Sequence, residues 1–231
     1  MKTRFLLAAA AIVCAALAAQ DTLKLERKYV VGEKDSYKYK LSLETGQGSV
    51  DVAMTQAQAV VKVYDNGDAD IESSTSGLSV KFNGQDVPVP APPNQKDTRR
   101  YTKQGVPVSL TQGGRGGMQG GMAFAQFLNV LADKPLTVGQ TVPVEYTLPD
   151  EKTTVSGTVK LESLANGVAK LLSHMNVTMP QSTKPVKLVI TSFVDAASSK
   201  LSKAEGTATD LPEQGPMSPK AVQFTIERQA Q

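Results

Sequence analysis

This chain is poor in the residues that most often carry out chemistry. Its 231 residues include no tryptophan, one histidine and one cysteine, and aromatics make up only 5%. Each scarcity removes a class of function. With His174 as the only imidazole, any histidine base or multi-histidine zinc site has to pass through that one position. His174 stands between Ser173 and Met175 in an alternating run, where a tolerated surface histidine is the plain reading. No Gly-x-Ser-x-Gly elbow occurs. A soft copper set of His174, Met175 and Met179 with Met118 and Met122 would draw on separate elements, and thioethers ordinarily fill core gaps. Asp65, Asp68 and Asp70 lack the twelve-residue spacing and terminal glutamate of a calcium loop, so they read as a solvated hairpin tip. The acids are scattered rather than paired for glycosidase work, and without tryptophan there is no carbohydrate-stacking platform. The sequence therefore nominates no catalytic, cofactor-binding or metal-ligating residues, and no cofactor.

The lone cysteine, Cys14, falls in a segment with the form of an export signal over residues 1–19. Lys2 and Arg4 precede an apolar run from Phe5 to Leu17, and Ala16 and Ala18 supply the small-x-small pattern for cleavage. The run is shorter than the roughly 20 residues that span a bilayer. Acylation of Cys14 would want a Leu-x-small approach, whereas Ala11, Ile12 and Val13 stand there. The expected location is the periplasm or the exterior, with no transmembrane segment after cleavage. Removing Lys2 and Arg4 reduces 25 basic residues to 23 against 22 acids. So balanced a charge gives no case for nucleic acid as a partner. The expected mature chain has neither thiol nor disulfide, but its roughly 212 residues suffice for a hydrophobic core.

What is present is period-two alternation, the signature of half-buried strands. Tyr37, Tyr39, Leu41 and Leu43 alternate with polar residues, as do Val142, Val144, Tyr146 and Leu148, and Val222, Phe224 and Ile226. Val60-Val61, Leu171-Leu172 and Leu188-Val189-Ile190 are apolar at consecutive positions, which predicts central strands covered on both sides. Asn66-Gly67 and Asn166-Gly167 predict hairpins. These turns also define a repeat. Val31-Gly32 leads at a fixed offset to Tyr39 and Leu41, as Val138-Gly139 leads to Tyr146 and Leu148, and an Asn-Gly hairpin follows each.

Two unusual segments separate the copies. Val87 to Pro93 alternates proline with small residues, which suits an extended edge. Gly113 to Gly121 is a glycine-rich loop without the ending of a phosphate loop. Phe124, Phe127, Leu128 and Leu131 then fall at helical spacing, predicting a helix from Met122 to Ala132 that Pro135 stops. The expected organisation is a signal over 1–19, an antiparallel β unit over 20–112, a loop and helix over 113–133, and a second β unit over 134–231, the two units possible parts of one domain. The fold class is all-β, two repeated antiparallel units as curved sheets or half-barrels with one short α-helix between them.

The stretch from Leu131 to Gln140, the hairpin Asn166 to Ala169, and the closing pair from Phe193 to Gly206 resemble a bacterial family of exported β-rich proteins of unknown function. Val142 stands where that family usually has an aromatic, and Ala197-Ser198-Ser199 where it often has glycine. The resemblance spans Leu131 to Leu211 and implies an envelope location and a curved antiparallel sheet, with no active site to transfer. The expected function is that of a non-enzymatic envelope binding protein for a partner protein or an apolar small molecule. The alternatives are a lipid or lipoprotein carrier of half-barrel type, a structural interaction module, and a hydrolase.

Overall fold

The computed structural model describes residues 22–89, 96–108, 127–148, 153–179, 184–212 and 219–230. Eleven strands occur among them: β1 (Lys34–Thr45), β2 (Gly48–Val63), β3 (Ala69–Phe82), β4 (Gln85–Val87), β5 (Asp97–Tyr101), β6 (Thr141–Leu148), β7 (Thr153–Ala165), β8 (Val168–Thr178), β9 (Val186–Asp195), β10 (Leu201–Thr209) and β11 (Ala221–Arg228). They form one antiparallel sheet in the order β4-β3-β2-β1-β11-β10-β9-β8-β7-β6, with β5 added on β3. The path does not close into a barrel. The last strand, β11, lies between β1 and β10, so Tyr39 faces Ile226 and Leu41 faces Phe224 across the join between the two units.

One face of this sheet is buried and the other is wet. Along β9, Val186, Leu188, Ile190 and Val194 are buried while the residues between them are more exposed. On β8 the buried set is Ala169, Leu171, Ser173, Met175 and Val177. This corrects the expectation of strands covered on both sides. Val61 and Val189 are 45% and 41% exposed, so their neighbours alone are core. In the Val60-Val61 doublet, Val60 faces the core and Val61 the wet side, at a point where β2 carries an extra residue against β3.

The repeat extends to individual backbone hydrogen bonds. The amide of Gly32 donates to the Val60 carbonyl, and the amide of Gly139 donates likewise to Leu161. The Glu33 amide reaches back to Val30, as Gln140 does to Thr137. The bulge between Val60 and Lys62 has its counterpart between Leu161 and Ser163. At the second Asn-Gly turn both residues have positive φ, 51° and 73°, as a two-residue hairpin requires. At the first, only Gly67 does, and the loop is wider, closed by the Tyr64 amide on the Asp68 carbonyl. A third such turn, Asn83-Gly84, joins β3 to β4 with φ of 49° and 79°.

The buried face is covered by irregular chain. Leu23 and Leu25 cross it in an extended segment bridged to Leu136, and Phe127, Leu128, Val130 and Leu131 pack beside them. Each fully buried leucine or phenylalanine contributes roughly 1.5–3 kcal/mol. The expected helix is not seen in its described part: residues 127–132 are turn and coil, and 122–126 lie outside the described residues. The reason is visible in the bonding. The Leu131 amide donates to the Gln104 carbonyl and the Leu131 carbonyl accepts from the Tyr146 hydroxyl, so partners outside the segment satisfy its backbone. Burial of Val130 and Ala132 as well as Leu131 also leaves no polar stripe. Residues 1–19, the glycine-rich loop 113–121 and residues 90–93 of the proline segment lie outside the described residues too.

Two inward glycines mark where strands approach too closely for a side chain. A Cβ on Gly157 would lie inside the contact distance of the His174 carbonyl, and one on Gly206 would lie against the Val189 carbonyl and 2.8 Å from Cζ of Phe224. Gly157→Ala and Gly206→Ala are each expected to cost about 1–3 kcal/mol, whereas Ser156→Ala on the wet face should stay within about 0.5 kcal/mol. Urea denaturation midpoints check this, and equal midpoints for all three variants would contradict the close approach.

Candidate functional site

The extended segment before β1 alternates like a strand, and its inward residues are Leu23, Leu25, Arg27 and Tyr29. Its backbone is held at both ends, by the Leu23–Leu136 bridge and by the Arg27 amide on the Lys103 carbonyl. The first two side chains enter the apolar core. The third and fourth cover the inner face of β1, β2 and β3, where the inward residues change from aliphatic to tyrosine, glutamine, serine and threonine. The result is a cavity of about 260 Å³ between that face and the covering loops. Its walls include Tyr37, Tyr39, Gln56, Gln58, Ser73 and Thr75 from the sheet, Arg99 and Tyr101 from β5, and Arg27, Tyr29, Gly105 and Asn129 from the cover.

Hydrogen bonds fix several of these groups. The Tyr29 hydroxyl donates to the Thr102 carbonyl at 3.1 Å. Gln56 Oε1 accepts from the Tyr39 hydroxyl at 3.0 Å and from Gln58 Nε2 at 3.1 Å. Arg99 Nε donates to Asp97 at 2.6 Å. Gly105, at φ +76°, leaves room for the arginine: a Cβ there would meet the Asn129 carbonyl at 2.7 Å and Arg27 Nε at 3.2 Å. Arg27 Nε and Nη2 and Asn129 Oδ1 are buried and have no hydrogen-bond partner.

Burial pushes the tyrosines around this cavity upward. Tyr29 is raised to about 12, with the charge of Arg27 pulling partly against burial. Tyr37, Tyr39 and Tyr101 are raised for the same first reason, and Arg27 opposes each shift. Neutral phenols therefore lie around the charge of Arg27, and the lining has ample hydrogen-bonding capacity.

No family model matches this chain, and no curated protein matches it. Among solved structures it is similar to a candidate lipoprotein from Parabacteroides distasonis, at 9% identity over 90% of this chain and 98% of that one, with a TM-score of 0.34. It is also similar to a candidate outer membrane lipoprotein-sorting protein domain from Vibrio parahaemolyticus, at 10% identity over 85% and 83% of the two chains, with a TM-score of 0.26.

The residues weighed from sequence lie away from this cavity. His174 is exposed on the outer face of β8, while its neighbour Met175 is buried on the inner face, so the two cannot share a metal. Among the described residues no group of three or more histidine, cysteine or acidic side chains is arranged to hold a metal ion. Asp68 bonds to Asn66 within its turn. Asp70 receives hydrogen bonds from Tyr64 and Arg100; burial raises its pKa, but those bonds outweigh it and hold the carboxyl below its ordinary value. Among the described residues no helix is long and apolar enough to cross a membrane. A second depression, of about 590 Å³, lies on the outer face among the short side chains Ser42, Ala53, Ser79, Thr207 and Thr225, rimmed by Lys38, Lys40 and Lys81. It is the larger of the two, but it is open and holds no orphaned buried group.

Arg27 lies outside the strand patterns and motifs of the sequence. Its signal was the phase of Leu23, Leu25, Arg27 and Tyr29, which places a cation in an inward position. A raised tyrosine favours the neutral phenol in the folded state. Its stabilisation is complete below the ordinary value of about 10 and is lost as pH rises through about 12 for Tyr29. Tyrosinate absorbance followed with pH should therefore show these phenols resisting ionisation above pH 10 and then releasing together with unfolding. Free titration of all six tyrosines near 10 in folded protein would contradict their burial.

Proposed function

We propose that this chain is an exported, non-enzymatic binding protein of the bacterial cell envelope, and that its ligand is a small molecule held in the inner cavity. The observation that carries this reading is the cavity itself, a partly open cleft between sheet and cover lined by fixed polar groups and aromatic rings. The signal-like segment over 1–19 supports export. The lining includes Ser73 and Thr75 but no imidazole to activate them, since His174 is on the outer face.

Size favours a small ligand over lipid. At about 260 Å³ the cavity lies just below the range of small-molecule pockets, which begins at roughly 300 Å³. A single long acyl chain exceeds that, and the remaining inner face is filled by the chain's own Leu25, Phe127, Leu128, Leu131 and Leu136. The polar lining also shifts the expected ligand from a purely apolar molecule to one with a polar end. Partner binding through sheet edges has less support. Edge strand β6 carries Pro143 in its middle, and the opposite edge strand β4 has only three residues.

Native mass spectrometry of the protein purified from its own envelope tests this reading. The expected result is a small adduct that is lost on denaturation. An acyl-lipid adduct would replace the reading with the carrier alternative. A bare mass, together with no thermal stabilisation by envelope small-molecule extracts, would overturn it.

A further inference from the structure

We propose that the inner cavity binds a small organic carboxylate that also carries a hydrogen-bond donor, with the guanidinium of Arg27 reading the carboxylate. This rests on the binding-protein reading above and names the ligand class. Arg27 Nε and Nη2 are buried with no partner, although an arginine in a protein stays charged. A buried charge without a partner is costly, and natural structures rarely keep one without a use. The acids that border this region are already taken. Glu26 pairs with Lys24 and Lys103, Glu33 and Asp35 with Lys200, Asp35 also with Arg228, and Asp97 with Arg99. Among the described residues, no acid is therefore left to pair with the charge of Arg27.

The missing partner is defined by what the site lacks. The two free N–H groups of one guanidinium form the planar fork that matches a carboxylate. A phosphate dianion fits less well, because it would bring two negative charges to one uncompensated cation among neutral phenols. Asn129 Oδ1, also buried without a partner, lacks a donor. Arg27 and the Asn129 backbone both approach the same point above Gly105, and both residues line this cavity. A ligand bearing a carboxylate and an adjacent hydroxyl or ammonium satisfies both. Tyr37, Tyr39, Met54 and Ile226 provide a partly apolar wall for its remainder.

Mandelate is a suitable probe, with mandelamide as its neutral counterpart and phenylacetate as the acid lacking the hydroxyl. Titration by NMR chemical-shift change is expected to show mandelate binding at least tenfold more tightly than mandelamide, since hydrogen bonds to a charged group are the stronger kind. Phenylacetate should fall between them. In Arg27→Met, which keeps the volume and removes charge and donors, mandelate should lose its advantage over mandelamide. Because the wild-type comparison needs no variant, poor folding of Arg27→Met would leave the test intact. Equal binding of mandelate and mandelamide by wild type overturns the carboxylate inference while leaving the binding-protein reading standing. No shift with any of the three probes up to about 10 mM, a limit near −2.7 kcal/mol, also overturns it, and the adduct measurement then decides the broader reading separately.

Discussion

A sheet with apolar residues on one face has to cover that face, because each exposed leucine or valine would forfeit roughly 1.5–3 kcal/mol. Among the described residues three irregular segments cover the sheet: the extended stretch through Leu25, the turn at Gly105–Val106, and the stretch from Phe127 to Leu136. Their backbones bond to one another, as Leu23 does with Leu136, Arg27 with Lys103 and Leu131 with Gln104. These bonds satisfy peptide groups of the cover without a helix or another sheet.

That arrangement also explains where the cavity lies. Over β6 to β11 the inward residues are mostly apolar, with Thr153, Ser173 and Ser192 as buried exceptions, and the cover fills the space with leucine and phenylalanine. Over β1 to β3 the inward residues become Tyr37, Tyr39, Gln56, Gln58 and Ser73, and the cover opposite them presents Arg27, Tyr29 and Asn129. Polar surfaces on both sides cannot be closed by simple apolar packing, because every buried donor and acceptor needs a partner. The space that remains contains the molecule's orphaned arginine and asparagine groups.

Much of the fold was legible. The alternation at Tyr37 to Leu43, Val142 to Leu148 and Val222 to Ile226 placed strands β1, β6 and β11 and their buried faces. The repeated Val-Gly step anticipated two turns with matching backbone bonds at Gly32 and Gly139. The doublet Val60-Val61 misled, because a valine on the wet face beside a buried one gives the same pattern as a strand buried on both sides. The spacing of Phe127, Leu128 and Leu131 also misled, because helical periodicity is only local and Gln104 and Tyr146 offered that segment other hydrogen-bond partners.

The sequence by itself determined the strand pattern, the turns, the duplicated order and the scarcity of catalytic side chains, since these follow from local periodicity and residue chemistry. Only the tertiary structure decided that β11 would join the two units beside β1, that coil would serve as the cover, and that Nε and Nη2 of Arg27 would be buried with no acid among the described residues left for them. Those outcomes depend on which groups meet across long stretches of chain. An arginine's burial and the prior engagement of Glu33, Asp35 and Asp97 are properties of neighbours that no local pattern contains.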